Sequence, residues 1–284
     1  MKRLLEILQA ATEYLAARGV ENARLVTEQL MSHVLECPRL QLYVRFESLL
    51  TEPQLEAMRR GMKRLAAGEP LQYVVGDTAF MGHLFKTDRR ALIPRPDTEP
   101  LVEAVLACEP LWARAQPAIV EVGTGSGCIA ISLALARPAA YTAIDVSPEA
   151  LALARENADR LQVADRLAFQ EGDLLAGLGA ASVDAVVANL PYIRTADLAA
   201  LPRHIRDFEP ALALDGGVDG LDCIRRLAGQ APDALRADGW LFLEIGFDQG
   251  AAVRDCLGEL GYAGVTVRLD AGGRDRVVSA RRPA

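Results

Sequence analysis

The sequence predicts an α/β protein, a doubly wound and mostly parallel sheet preceded by a small bundle of helices. Two observations predict it. Beyond about residue 117 short apolar runs alternate with helical stretches, the rhythm of a parallel sheet covered on both faces. The first seventy residues instead carry apolar side chains at helical spacing. A chain of 284 residues has a length prior of about two domains. The expected division is residues 1–70 as a helical domain, 71–92 as a linking β-hairpin and 93–284 as the sheet domain.

Leu4, Leu5, Leu8, Ala11 and Leu15 form the first helical stripe, with Gly19 as its stop. A second run from Ala23 to Leu35 repeats the pattern and ends before Pro38. A third begins near Pro53, carries Leu55, Met58, Met62 and Leu65 on one face, and stops at Gly68. Three such helices make a small bundle. Tyr73-Val74-Val75-Gly76 and residues 80–85 are short, bulky and glycine-punctuated, which predicts the hairpin. His83 within it is expected to be packed or half-exposed, because no second histidine sits nearby to share a ligand. Helical character resumes after Pro96 and runs through Leu106. Strands are expected at 118–122, 141–144, 167–170, 185–188, 240–245 and 265–269, with helices at 129–136 and 148–161. Residues 265–269 and 276–280 flank Gly272-Gly273, so an antiparallel strand is expected to close the sheet.

Composition limits the function classes. The 38 acids against 31 bases leave a net charge of −7, which argues against a broad nucleic-acid or membrane surface. The five cysteines are scattered without Cys-x-x-Cys spacing, so reduced thiols are expected, with no disulfide frame and no metal site. Glu6 and Glu13 interrupt the apolar run at the start, so no signal peptide is read there. No apolar stretch approaches the ~20 residues of a membrane span. The expectation is a cytoplasmic protein.

The chemistry lies at the ends of the expected strands. Glu121-Val122-Gly123-Thr124-Gly125-Ser126-Gly127 follows a buried strand and opens a helix, where glycines let backbone amides approach a ligand. About twenty residues on, Asp145 ends the second strand, the position from which a carboxylate grips ribose hydroxyls. The third glycine comes one residue too early for a dinucleotide fingerprint, and Cys128 stands in its place. Glu121 would repel a pyrophosphate. It suits a cation carrying an amino acid moiety, and S-adenosylmethionine fits better than a nicotinamide dinucleotide. Asp173 and Leu174, after the third strand, are placed to receive adenine by hydrogen bond and by packing. Asn189-Leu190-Pro191-Tyr192 then forms a turn at the end of the fourth strand. Asn189 and the Leu190 carbonyl offer two acceptors to a planar NH2 group, Pro191 constrains Leu190 toward extended geometry, and Tyr192 can pack on the flat group.

The constellation of residues 121–127, Asp145, Asp173 and 189–192 resembles a class I, Rossmann-like methyltransferase acting on a planar nitrogen. Ile93-Pro94-Arg95-Pro96-Asp97-Thr98-Glu99, Phe208-Glu209-Pro210 and Asp219-Gly220-Leu221 narrow the likeness. With them the chain resembles the peptide chain release factor N(5)-glutamine methyltransferase family over nearly its whole length. Asp97 or Thr98 could instead cap the next helix, whereas Arg95 has no evident local partner. The resemblance implies S-adenosylmethionine as donor, S-adenosylhomocysteine as product, and release factors as protein substrate. It also implies a glutamine site at Asn189, Leu190, Pro191 and Tyr192. The helices of residues 1–70, separate from every donor motif, are expected to recognise the protein substrate, with a scaffold or an oligomer contact as the alternative. Leu190 stands where the family has a proline, and Leu174 where relatives often have an aromatic. A monomer without direct nucleic-acid contact is expected. The alternatives are a glutamine methyltransferase for a ribosomal protein, an adenine amino methyltransferase, and a degenerate module that binds the donor without turnover.

Overall fold

The computed structural model describes residues 2–282. Its contacts divide the chain into two units, one running to Asp77 with Pro202–Phe208, the other comprising Thr78–Leu201 and the chain from Glu209.

The first unit holds helices α1 (Leu4–Ala16), α2 (Ala23–Val34), α3 (Arg39–Val44), α4 (Glu52–Ala66) and α5 (Leu71–Val75). Two short strands, β1 (Lys2–Arg3) and β2 (Leu49–Leu50), pair antiparallel. Leu4, Leu8, Leu15, Leu30, Met31 and Leu65 meet in one core, while Leu5 of the expected stripe is only half-buried. Thr51 opens α4 with a capping box, its amide donating to Gln54 Oε1 at 2.9 Å. Residues 73–76 are not a strand. Pro70 starts α5, Gly76 stops it at φ 85°, and Leu71, Val74 and Val75 pack on the helical core, so burial of that face overrides their β propensity. The hairpin comes next, as β3 (Asp77–Phe80) and β4 (His83–Lys86). Met81 and Gly82 turn it with φ of 49° and 76°, the left-handed pair that suits a two-residue hairpin.

In the second unit a 3-10 turn at Pro96–Thr98 leads into α6 (Glu99–Leu106) and α7 (Glu109–Trp112). The sheet follows as β5 (Ala118–Val122), β6 (Ala140–Asp145), β7 (Leu167–Glu171), β8 (Val183–Ala188), β9 (Leu235–Glu244), β10 (Ala263–Leu269) and β11 (Asp275–Arg281). Helices α8 (Cys128–Ala136), α9 (Pro148–Arg160), α11 (Asp222–Ala234) and α12 (Gly250–Glu259) belong to the same unit, and the single turn α10 (Arg203–Arg206) to the first. The strand order is β10-β11-β9-β8-β5-β6-β7, with β5 to β9 mutually parallel. Val120, Val122, Val186 and Ala188 face a core built with α11 and α12. Ile119, Ala185 and Val187 face the opposite core, built with α6 and α8. Alternate residues are therefore buried on both faces, as a doubly wound sheet requires.

The antiparallel strand does not close the edge. β11 inserts between β9 and β10, paired antiparallel to both. Val277, Val278 and Ala280 of β11 are buried, whereas β10 is largely exposed, so β10 is the strand suited to the rim. Helices α11 and α12, at positions the sequence pattern does not mark, carry Gly229 with Pro232, and Gly250 with Gly258. Strand order reverses between β5 and β8, which opens a crevice at their carboxyl ends.

Candidate active site

The loop after β5 lines that crevice. Gly123, Gly125 and Gly127 all take left-handed φ, at 73°, 55° and 81°. A Cβ on Gly127 would lie 2.8 Å from Ile131 Cδ1 and 3.1 Å from Ala154 Cβ, so the glycine lets α8 start hard against α9. Gly123 N and Thr124 N both donate to the Ile144 carbonyl, at 2.9 and 3.0 Å. Asp145 caps the neighbouring turns, accepting Gly125 N at 2.8 Å on Oδ2 and Ser147 N at 2.9 Å on Oδ1. An ionised carboxylate still has lone pairs beyond those two bonds. Asn157, fully buried on α9, ties the loop to the hairpin: Nδ2 donates to the Ser126 carbonyl at 2.9 Å and Oδ1 accepts Lys86 N at 2.7 Å.

Glu121 sits behind the glycines and is 2% exposed. Its Oε2 accepts the Thr124 hydroxyl at 2.5 Å and Ala130 N at 3.0 Å, while Oε1 has no hydrogen-bond partner among the described residues. Burial pushes the carboxyl up to about 8, and the nearby Asp145 charge adds to the shift.

Asp173 and Leu174 flank the crevice on the β7 side. The Asp173 carboxylate is exposed and paired with Arg226 at 2.5 Å, and Leu174 is buried at a left-handed φ of 55°. Across the crevice, after β8, Asn189 Nδ2 donates to Thr98 Oγ1 at 3.1 Å. Leu190 is buried in the core, and its Cδ2 would lie 3.1 Å from a Cβ on Gly123. Tyr192 donates its hydroxyl to Glu244 Oε1 at 3.3 Å, and burial beside that carboxyl pushes the phenol up. The Tyr192 carbonyl accepts Gln249 Nε2 at 3.0 Å. A Cβ on Gly220 would lie 2.3 Å from that same carbonyl oxygen, which explains the glycine of the Asp-Gly-Leu motif.

These elements enclose a cavity of about 350 Å³. Of the site residues read from sequence, all reach its lining except Gly127, which packs helices, and Tyr192, which points to Glu244. The Pro94–Glu99 stretch supplies Arg95 and Thr98 to the same wall. Arg95 does have a partner: its guanidinium pairs with Glu209, whose other oxygen accepts Ile93 N at 3.1 Å. The two motifs thus form one clamp across 114 residues. Thr98 caps α6 by backbone position, but its hydroxyl serves Asn189 and not the helix. Glu244, Gln249 and Asn157 are site supports that sequence reasoning missed. For Glu244 a signal exists, since an acid ending an apolar strand is what also marks Glu121.

The residues fit S-adenosylmethionine. Glu121 Oε1 is a buried acceptor without a partner among the described residues, and the glycine loop, Asp145 and Asn189 line one cavity. A single carboxylate-lined, largely apolar crevice at a topological switch point holds one nucleoside and its charged tail. Among the described residues no group of three His, Cys, Asp or Glu side chains is placed to hold a metal ion.

Fold and site together define a class I methyltransferase. Residues 119–210 match the methyltransferase domain model and residues 6–76 the PrmC N-terminal domain model. A methyltransferase crystal structure from Pyrococcus furiosus shares the fold, with a TM-score of 0.52 at 17% identity over 70% of this chain and 89% of that one. The release factor glutamine methyltransferase of Moorella thermoacetica is 46% identical over 281 residues, covering 98% of both chains. That of Geobacter sulfurreducens is 43% identical over 277 residues, covering 97% of this chain and 95% of that protein. The chain belongs to the release factor glutamine methyltransferase family.

Proposed function

We propose that this protein methylates the side-chain amide nitrogen of the glutamine in the Gly-Gly-Gln loop of peptide chain release factors, with S-adenosylmethionine as donor. The observation that carries this reading is that the glycine loop and the Asn189–Pro191 turn line one and the same cavity. When bound, S-adenosylmethionine supplies a methyl group activated by its sulfonium and is converted to S-adenosylhomocysteine. Glu121 is assigned to the donor's ammonium, Asp145 to the ribose, and Asp173 with Leu174 to adenine. Gly123, Thr124, Gly125 and Ser126 lay backbone against the donor, and Gly127 lets them do so.

An amide nitrogen is a poor nucleophile because its lone pair is delocalised into the carbonyl. Asn189 Oδ1 and the Leu190 carbonyl accept its two N–H bonds, orient the nitrogen and stabilise positive charge as it attacks. Pro191 holds the geometry of Leu190, and Tyr192 braces the turn from behind. Holding the nitrogen in line with the methyl group supplies most of the remaining acceleration. After transfer the alkylated nitrogen is strongly acidic and loses its proton to water, so no side-chain base is needed.

Residues 1–70 are assigned to recognition of the release factor, 71–92 to linkage and 93–284 to transfer. A groove in the first unit, about 390 Å³ and lined by Tyr14, Met58 and Met62 with Lys2 and Lys63, supports that assignment. The reading includes a monomer acting in the cytoplasm without direct nucleic-acid contact. The net charge of −7 supports the absence of a broad nucleic-acid contact, and no helix among the described residues is long and apolar enough to cross a membrane. The test is fragmentation mass spectrometry of a release factor incubated with enzyme and donor. Fourteen added daltons on the Gly-Gly-Gln glutamine are expected. Modification of adenine in a nucleic-acid control, with none on the glutamine, would replace the substrate assignment, and no modification anywhere would leave a binding module.

A further inference from the structure

From Leu190 to Tyr192 the main chain of the substrate turn has few restraints of its own. Pro191 has no N–H, and the Leu190 carbonyl accepts no hydrogen bond from the described residues, which leaves it open to a substrate N–H. Among the described residues one hydrogen bond holds this stretch of main chain, from Gln249 Nε2 to the Tyr192 carbonyl at 3.0 Å. Gln249 stands at the start of α12 and is 4% exposed. The same Nε2 reaches the Gly220 carbonyl at 3.3 Å, while Oε1 accepts Gly246 N at 2.8 Å. Two carbonyls on one side and an N–H on the other fix which end of the amide is which. A flipped amide would set oxygen against two oxygens and NH2 against N–H.

Three loops therefore meet at one side chain. Residues 193–195 run beside 214–217, with Ile193 N donating to the Leu214 carbonyl at 3.1 Å and Thr195 N to the Gly217 carbonyl at 2.9 Å. The far end of that loop, Gly220, is held to the turn by Gln249. The approach needs small residues: a Cβ on Gly216 would lie 2.7 Å from the Pro191 carbonyl oxygen, and one on Gly246 2.9 Å from Gln249 Oε1. Gln249 does not line the cavity, whereas Asn189, Leu190 and Pro191 do. We propose that Gln249 is a positioning residue for methyl transfer: its amide straps the turn to the 216–220 loop and so fixes where Asn189 Oδ1 and the Leu190 carbonyl point. The proposal rests on the reading of those two acceptors as the holders of the reacting NH2. The Pro191 ring locks its own φ, so a shift at Tyr192 passes back to Leu190 with fewer torsions to absorb it. Without the Gln249 donor the Tyr192 carbonyl has no partner among the described residues, and the peptide after Pro191 is free to turn in search of one.

The test uses the full chain with a release factor and S-adenosylmethionine, both saturating, at a temperature where the variants remain folded. Gln249→Ala removes the strap outright. Gln249→Met keeps the length and the unbranched shape but carries no N–H to give. Each should lower kcat about tenfold to a hundredfold, the upper figure being the cost of displacing reacting groups by about 1 Å. Donor Kd and the KM for the release factor should stay within about threefold, because the strap acts on the geometry of the transfer step and touches neither ligand. Should the alanine variant fail to fold, the methionine variant, which leaves little cavity, decides the question. Unchanged kcat in a folded variant, or a fall in donor affinity as large as the fall in kcat, overturns the proposal. Asn189→Ala separates the two layers of argument. If it keeps full turnover, the reading of the turn falls and the strap falls with it. If it loses turnover, adding Gln249→Ala should cost much less than Gln249→Ala does alone, since both act on one nitrogen. Losses that multiply in full leave Asn189 standing and overturn the strap.

Discussion

Replacing Glu121 with glutamine should uncouple donor binding from proton release. In the donor-free protein the carboxyl has one oxygen without a partner and is pushed up to about 8, chiefly by burial. At pH 6.5 nearly every molecule therefore holds that proton, since each unit below a pKa leaves roughly a tenfold excess of the acid form. Binding an ammonium favours the carboxylate and expels the proton. Affinity for S-adenosylhomocysteine, which keeps the amino acid tail, should rise roughly tenfold per pH unit up to about 8. Above that it should fall again, because the ligand's own α-amino group, usually near 7.7–8.0, loses its charge. Titration calorimetry at pH 6.5 in two buffers of different ionisation enthalpy should register close to one proton released. Glu121→Gln should release none and bind with little pH dependence below 8. Stability carries the same signature in the donor-free enzyme. The folded pKa lies above the unfolded 4.5, so the contribution is full below 4.5 and lost as pH rises through about 8, a span worth on the order of 5 kcal/mol. The glutamine variant should lack that loss. An absence of proton release at pH 6.5, or equal release from the variant, refutes the reasoning.

Asp145→Ala should weaken donor binding by about 1.5–3 kcal/mol by calorimetry, the range for hydrogen bonds to a charged group. Unchanged affinity would remove the ribose assignment. Asn189→Ala should keep donor affinity within a few fold while kcat falls about 10²–10³, read by intact-mass assay of a release factor. Leu190→Pro should keep turnover, since its carbonyl survives, but lower the melting temperature, because Leu190 packs in the core and the loss of one buried side-chain carbon costs about 1 kcal/mol. A loss of turnover out of proportion to stability would show that the leucine shapes the turn itself. Removing residues 1–77 should leave donor binding intact and impair methylation of a full-length release factor; equal turnover would make those helices scaffold only.

The α/β architecture was legible in the sequence because its signals are local. Apolar strands, the Gly123–Gly127 loop, Asp145 about one helix further on and the Asn189–Tyr192 turn are each contiguous patterns, and each lies at the end of the strand expected. The first unit was equally legible, since the stripes of α1, α2 and α4 repeat within a few turns. What the sequence left open depends on pairing at a distance. The hairpin at the end of the chain specifies two antiparallel strands but not which one faces β9; burial of β11 on both faces decides that. Residues 73–76 have strand-forming side chains, yet their place against the helical core makes them a helix. Arg95 meets Glu209 across 114 residues, Asn189 meets Thr98 across 91, and Tyr192 meets Glu244 across 52. No periodicity carries such separations. The sequence determines which groups can accept and donate, whereas their direction is settled only when burial removes water as the competing partner and leaves each hydroxyl and amide only its packed neighbours to bond.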